Sequence, residues 1–164
     1  MEEKTKKRLE YIQKLIDDGK NTIIINGNVG VGKTFLAKKL YHDYFIDEPT
    51  YKLHLSSGNL QLRSSSDWNA NINLYPLECL TKKRVVIYDD FGSAGITEAY
   101  IEKTLYWLNN RIDKWYITIF TTNLSKENWD KYEPRITSRI SQNAVFIELQ
   151  WEDLRKKETI YKKI

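Results

Sequence analysis

The chain has 164 residues, of which 41% are hydrophobic and 13% aromatic, so it can form one folded domain and a disordered chain is excluded. Its 26 Lys and Arg against 22 Asp and Glu give a net charge of +4, which allows contact with nucleic acid without requiring it. One cysteine excludes a disulfide framework, and no apolar run could cross a membrane, so we expect a cytoplasmic protein with no membrane partner.

We predict a single α/β domain, with an amino-terminal helix in residues 1–19, a core over 20–150 and a basic tail over 151–164. Residues 56–73, SSGNLQLRSSSDWNANIN, predict a loop or a loosely held helix. A helix is predicted over 98–112, with Thr97 as its cap. Apolar strands that alternate with helices predict a parallel sheet covered on both faces. The predicted strands are TIIIN (22–26), YKLHL (51–55), RVVIYDDFG (84–92), YITIFTTN (116–123) and AVFIEL (144–149).

A glycine-rich stretch after the first strand, GNVGVGKT, matches the phosphate-binding pattern G-x-x-x-x-G-K-[ST] throughout. Glycines let the backbone N–H groups surround a triphosphate, and the following helix directs the positive end of its dipole at the same place. We expect Lys33 to bridge the β- and γ-phosphates and Thr34 to ligate Mg²⁺. A chance glycine turn is the alternative, which the strand before and the helix after disfavour. The predicted ATP-binding residues are Gly27, Asn28, Val29, Gly30, Val31, Gly32, Lys33, Thr34 and Phe35.

Two carboxylates, Asp89 and Asp90, follow the apolar strand VVIY, at the edge where ligands bind in open α/β sheets. We expect Asp89 to hold Mg²⁺, directly or through water, and Asp90 to orient or deprotonate the attacking water. The alternative is a solvated acidic turn that caps the next helix.

The fourth strand ends in Thr121, Thr122 and Asn123. The Asn123 amide could hold both the lytic water and a γ-phosphate oxygen, and the alternative is a polar strand end without a function. Further on, EPRITSRISQ places Arg135 and Arg139 four residues apart, about one helical turn. These two cations could meet a phosphate, or they could lie on a solvated helix face.

In this order the motifs resemble the AAA+ ATPase module of the DnaC/DnaI helicase-loader family, which includes the IstB-like transposition helpers. The resemblance spans Asn21 to Arg155 and is carried by GNVGVGKTFLAKKL, VVIYDDFG, ITIFTTNLS, RITSRI and WEDLR. It implies a P-loop NTPase of the AAA+ type, a three-layer sandwich with a five-stranded parallel sheet in the order 5-1-4-3-2. Asn123 matches the sensor-1 position, and Arg139 matches the arginine finger that acts in trans on a neighbour's ATP. Arg135 matches the accompanying basic position.

The short ends predict a minimal phage- or mobile-element-like version, located in the host cytoplasm if phage-encoded. It would lack both the amino-terminal helicase-binding domain and a helical lid. Asp90 stands where many AAA+ enzymes have glutamate, so hydrolysis is expected to be slow. DNA contacts at Arg63, Trp68, 81–84 and 155–164 are one interpretation of these basic segments, and exposed polar chain is the other.

The resemblance therefore implies an ATP- and Mg²⁺-dependent ATPase that oligomerises on single-stranded DNA and loads or remodels the hexameric replicative helicase. One alternative is an IstB-like ATPase helper of a transposase. Another is a small P-loop kinase, although the chain has no evident arginine-rich lid. A module that binds ATP without cleaving it is a further alternative, because Asp90 is short.

Overall fold

A computed structural model describes residues 2–44, 50–56, 59–64, 84–92 and 96–150. Three of the segments proposed for DNA contact lie outside these ranges: Trp68, residues 81–83 and residues 155–164. The basic tail over 151–164, including the WEDLR motif, lies outside them as well.

Within these ranges the chain forms five α-helices, a short 3-10 helix and six β-strands. The helices are α1 (Glu2–Asp17), α2 (Lys33–Tyr44), α3 (Glu98–Ile112), α4 (Lys126–Tyr132) and α5 (Pro134–Ile140), and the 3-10 helix is Ser141–Asn143. The strands are β1 (Thr22–Gly27), β2 (Thr50–Ser56), β3 (Asn59–Ser64), β4 (Val85–Phe91), β5 (Ile117–Thr122) and β6 (Ala144–Leu149).

The strands form one sheet in the order β3-β2-β4-β5-β1-β6. Four parallel pairings join β2 to β4, β4 to β5, β5 to β1 and β1 to β6, whereas β3 pairs antiparallel with β2. The predicted five-stranded, all-parallel sheet is therefore corrected to a six-stranded sheet, because β3 is an additional antiparallel strand at its edge. Once β3 is counted, the predicted order 5-1-4-3-2 becomes 6-1-5-4-2-3. The predicted loop or loose helix is wrong for residues 59–64, which carry Arg63, because their backbone pairs with β2 as a hairpin.

Two hydrophobic clusters cover the two faces of the sheet, as the strand alternation requires. Ile24, Phe120 and Phe146 belong to the cluster that contains the buried side chains of α3, α4 and α5. Their sequence neighbours, including Ile23, Ile119 and Ile147, belong to the cluster with α1 and α2. The sheet is thus the middle of three layers, and α2 and α3 lie on opposite sides of it.

Side-chain caps fix where the helices of the second face begin. The Thr97 hydroxyl accepts a hydrogen bond from the Tyr100 amide at 3.1 Å, as predicted, and starts α3. Ser125 accepts from the Asn128 amide in the same way and starts α4. Glu133 caps α5, whose first residue is Pro134, a position that needs no amide hydrogen.

Among the helices of the described ranges, none has the length and apolar character that a membrane span requires.

Candidate phosphate-binding site

The glycine-rich loop connects β1 to α2, so the predicted phosphate cradle lies at the carboxyl edge of the sheet. Gly32 has a φ of +92°, a conformation that favours glycine, just before α2 begins at Lys33. Gly27 is required for another reason: a Cβ there would lie 2.4 Å from the carbonyl oxygen of Leu149 in β6. The loop can therefore leave β1 in close contact with β6 only because residue 27 has no side chain.

Lys33 is buried and bends back into the loop. Its Nζ donates hydrogen bonds to the carbonyl oxygens of Gly27 and Asn28, both at 2.8 Å. Burial lowers the pKa of Lys33 from its usual value, and the nearby carboxylates of Asp90 and Asp89 partly offset that effect. The two carbonyl groups thus hold the Lys33 ammonium group inside the loop. An anion bound in the loop could take their place as hydrogen-bond acceptor.

The Asp89 carboxylate joins the loop to two strands. Its Oδ1 accepts a hydrogen bond from the Thr34 hydroxyl at 2.8 Å and another from the Thr121 hydroxyl at 2.7 Å. Hydroxyl and carboxylate oxygens are the hard ligands that Mg²⁺ takes alongside phosphate oxygens and water. The described residues contain no cluster of three or more His, Cys, Asp or Glu side chains that could hold a metal alone. Thr34 and Asp89 therefore fit a magnesium ion whose remaining ligands come from the nucleotide and water.

Asp90 occupies an irregular point of β4. The register between β4 and β5 shifts between Tyr88 and Phe91, and Asp90 adopts a φ of +57°, which aspartate tolerates better than most residues. Its backbone N–H donates to the Thr121 hydroxyl at 3.0 Å, and its side chain is exposed. Thr97, and not this acidic pair, caps α3, so the interpretation of Asp89 and Asp90 as a helix-capping turn is wrong.

Thr121 was not predicted as a site residue, although it holds both acidic residues. One hydroxyl donates to Asp89 and accepts from the Asp90 amide, so it fixes both acidic residues against β5. The signal was present in the sequence: TIFTT places Thr121 in phase with Ile119, on the sheet face that α2 covers. The partner atom, however, depends on strand order and register.

Asn123 follows β5 and lies beside the start of the phosphate loop. It shares a cavity of about 320 Å³ with the loop and with the end of β6. Buried Asn26 also lines this cavity; its Nδ2 donates to the Leu124 carbonyl, and its Oδ1 has no hydrogen-bond partner among the described residues. The full lining is Asn26, Gly27, Asn28, Asn123, Ser125, Glu148, Leu149 and Gln150. A polar space thus opens where Asn123 meets the loop.

Two of the predicted binding residues have exposed apolar side chains. Val29 is 80% exposed and Phe35, in the first turn of α2, is 58% exposed. Only the backbone N–H groups of these two residues are expected to face the phosphates, so their side chains can make another contact.

The structure does not bring the two arginines to this loop. Both lie on α5 and bind α3, but at its opposite ends. Arg135 pairs with Glu133 and with Glu98 at the start of α3, and these carboxylates raise the pKa of Arg135 above its usual value. Arg139 pairs with Asp113, just after α3, at 3.0 Å, and also donates to the side chains of Asn109 and Gln142.

Arg139 lies toward the amino edge of the sheet. Its partner Asp113 is followed within four residues by the start of β5, where Thr118 is in register with Thr22, the first residue of β1. The phosphate loop leaves the other end of β1. The six residues of β1 separate the two edges by about 17 Å at 3.3 Å per residue. Arg139 is therefore far from the phosphate loop of its own chain.

Comparison with known proteins identifies solved structures with a similar fold. Neither the protein-family models nor the curated proteins gave a match. A crystal structure of DnaI superposes with a TM-score of 0.65 at 18% identity, covering 87% of this chain and 79% of that one. The DnaC helicase loader gives 0.57 at 19% identity, covering 79% and 78%. AMPPCP-bound DnaA from Aquifex aeolicus gives 0.59 at 17% identity over 89% of this chain, which spans only 44% of the DnaA chain. The chain therefore shares the fold of the DnaI and DnaC structures, as its motifs predicted.

Proposed function

We propose that this chain is a magnesium-dependent AAA+ ATPase of DNA replication whose active site is completed by Arg139 of a neighbouring copy. One observation carries the proposal: Thr34 at the end of the phosphate loop hydrogen-bonds Asp89 at the carboxyl end of β4. That pair is what a P-loop enzyme needs to hold the metal of a nucleoside triphosphate.

The loop residues bind the phosphates. Backbone N–H groups from Gly27 to Thr34 surround them, and the Lys33 ammonium exchanges its two carbonyl contacts for β- and γ-phosphate oxygens. Thr34 and Asp89 hold Mg²⁺, which, when bound, neutralises charge on the phosphate oxygens. AMPPCP in the similar DnaA structure supports a nucleotide as the ligand.

Hydrolysis depends on the polar groups at the ends of β4 and β5. The exposed Asp90 carboxylate accepts a proton from the attacking water, and the Asn123 amide orients that water beside the loop. Because aspartate is one methylene shorter than the glutamate of many AAA+ enzymes, we expect slow turnover unless another subunit or DNA closes the site.

Arg139 acts on a neighbouring subunit. About a strand length separates it from its own phosphate loop, so it cannot neutralise its own γ-phosphate. A second copy, docked with its loop against the end of α3, would receive the guanidinium. An arginine supplied in this way contributes about 10³–10⁵ in rate in other phosphoryl-transfer systems. Turnover would then depend on assembly.

The role in replication rests on what the similar proteins are. One is described as the DnaC helicase loader, and another as DnaA bound to AMPPCP and single-stranded DNA. By this likeness we propose a hexameric replicative helicase and single-stranded DNA as partners. A transposase helper would use the same ATPase core with another partner. Arg139 lies far from the cradle and Arg135 is held by Glu98 and Glu133, which disfavours a kinase that closes its own arginines over its phosphates.

The test has two parts. ATPase activity per subunit should rise with protein concentration and with added single-stranded DNA, and Lys33→Ala should lack it under all conditions. Equal low turnover at all concentrations, with and without DNA, would contradict the proposal. Capture from host extract with the wild-type chain, against Lys33→Ala, should then recover a hexameric helicase; recovery of a transposase instead would establish the second candidate.

A further inference from the structure

An exposed tryptophan lies beside the contact that holds Arg139. Trp115 is 66% exposed, which makes it the most exposed aromatic side chain in the described part of the chain. It sits in the turn between α3 and β5, two residues after Asp113, the ion-pair partner of Arg139. Two residues span at most about 7.6 Å between Cα atoms, so Trp115 and Arg139 belong to one region of the surface.

The backbone of Trp115 is unfavourable for its residue type. Its φ is +60°, in the left-handed region, and its N–H donates to the Ile112 carbonyl at 3.1 Å as the chain leaves the helix. Glycine or asparagine occupies such positions after helices at little cost, whereas a bulky side chain is uncommon there. The fold alone therefore gives no reason for an exposed tryptophan at this point, and such outliers concentrate at functional surfaces.

The helix next to Trp115 extends the same surface. Tyr106 and Asn109 on α3 and Asp113 just after it are spaced three and four residues apart, so they lie on one side of the helix. Tyr106 is 54% exposed, while Asn109 and Asp113 both accept hydrogen bonds from Arg139. We refer to Tyr106, Asn109, Asp113, Trp115 and Arg139 as the α3–α5 patch. It combines two exposed aromatic side chains with one guanidinium group.

The charges of this patch do not form a track for nucleic acid. Arg139 is paired with Asp113, and Lys114 lies over the Tyr116 ring at 5.8 Å. Arg111 is fully buried under the patch and donates to the Thr118 hydroxyl and the Ile117 carbonyl. The patch itself holds one cation, Arg139, which is paired, whereas single-strand binding grooves supply several.

A matching apolar surface lies at the opposite edge of the sheet. Val29 and Phe35 are the exposed apolar side chains of the phosphate loop and the first turn of α2, at 80% and 58% exposure. They flank the site that would receive a neighbour's Arg139. Two different surfaces at opposite edges are what a head-to-tail contact between copies requires.

We propose that Trp115 is the apolar anchor of the contact between copies of this chain and packs against Val29 and Phe35 of the next copy. This inference rests on the proposed function, because the reach of Arg139 to the neighbour's phosphates brings the two surfaces together. Trp115 contributes to the affinity between copies and Arg139 to the rate of ATP hydrolysis, so the effects of the two residues can be measured separately. Tryptophan and arginine dominate interface energies in general, which fits this division.

The experiment compares Trp115→Asn with wild type, and with Tyr44→Asn as the matched control. Asparagine tolerates a positive φ, so Trp115→Asn should unfold at the same temperature as wild type or higher. Tyr44, an exposed aromatic residue that ends α2 on the other sheet face, provides the same loss of an aromatic ring elsewhere. Assembly is measured by sedimentation over a protein concentration series with Mg²⁺ and AMPPCP.

We expect assembly of Trp115→Asn to be weakened by about tenfold or more, with Trp115→Phe close to wild type and Tyr44→Asn unchanged. Assembly of Trp115→Asn equal to wild type, in a chain whose activity still requires Arg139, would overturn the anchor and leave the proposed function intact. A lower unfolding temperature for Trp115→Asn would assign Trp115 to the fold instead. Unchanged assembly with lost affinity for an oligothymidylate strand would assign it to DNA. A wild-type chain that never assembles would contradict the proposed function and this inference together.

Discussion

The Thr121 hydroxyl donates a 2.7 Å hydrogen bond to Asp89 Oδ1 and accepts one from the backbone N–H of Asp90 at 3.0 Å. One side chain of β5 thereby holds both acidic residues of β4, where the strand register is broken. Asp89 Oδ1 also accepts from Thr34, so if Thr34 turned toward Mg²⁺ in the proposed site, the Thr121 hydrogen bond would still hold the carboxylate. The geometry of the proposed metal site therefore depends on β5.

Replacing Thr121 with valine should therefore impair the metal site while preserving the shape of the core. A hydrogen bond to a charged group contributes about 1.5–3 kcal/mol, so we expect roughly a tenfold or larger drop in kcat and in Mg²⁺ affinity. Nucleotide binding without Mg²⁺ should change little. Thr121→Ser keeps the hydroxyl and serves as the control. A kcat and a Mg²⁺ requirement that both match wild type in Thr121→Val would show that the contact has no functional part.

Because Asp90 has a positive φ, replacing it with asparagine should preserve the stability of the fold, whereas replacing it with glutamate should lower it. Asp90→Asn keeps the shape and the left-handed preference, so its free energy of unfolding should stay within about 0.5 kcal/mol of wild type while hydrolysis is lost. Asp90→Glu should be destabilised by roughly 1 kcal/mol, because glutamate lacks that preference. Chemical denaturation and ATPase assays check both. A stable Asp90→Glu chain with faster turnover would contradict the strain argument.

Alkaline pH should destabilise the fold through a tyrosine cluster. Burial raises the pKa of Tyr88, Tyr100 and Tyr132, and the Tyr88 and Tyr100 hydroxyls lie 3.1 Å apart. The unfolded chain releases these protons near the ordinary value of 10.0, before the folded chain does. The three protonated tyrosines therefore contribute their full share of the folding free energy below pH 10.0, and this share is lost as the pH rises above it.

The unfolding temperature should accordingly fall as the pH rises above 10, with a smaller fall in Tyr132→Phe. Scans at a series of pH values, with tyrosinate absorbance as the second readout, separate this effect from lysine titration, which both chains share. Identical slopes in the two chains would exclude a contribution from Tyr132.

Local motifs account for what could be predicted from the sequence. The phosphate loop needs only eight consecutive residues, and the apolar runs of β1, β4, β5 and β6 mark buried strands without knowledge of their partners. The helix cap at Thr97 involves residues only three apart in the chain, so it could also be predicted from the sequence.

The features that could not be predicted from the sequence depend on pairing between residues distant in the chain. β3 is built on the backbone ladder with β2, and its polar, serine-flanked sequence resembles a loop. The double contact of Thr121 requires β5 to lie beside β4 in one particular register. Arg139 illustrates the same limit: its spacing from Arg135 indicated one helical turn, but its distance from the phosphate loop follows only from the direction of the strands.

The central claim is that the active site is shared between copies, and mixing two inactive variants tests it most directly. Arg139→Ala retains a complete phosphate site, whereas Asp90→Asn retains a complete α3–α5 patch. Each alone should show little ATPase activity. In an equal mixture, about a quarter of the sites combine an intact Asp90 with a neighbour's intact Arg139, so activity should recover toward that fraction of wild type. No recovery on mixing, or full activity of Arg139→Ala alone, would contradict the account.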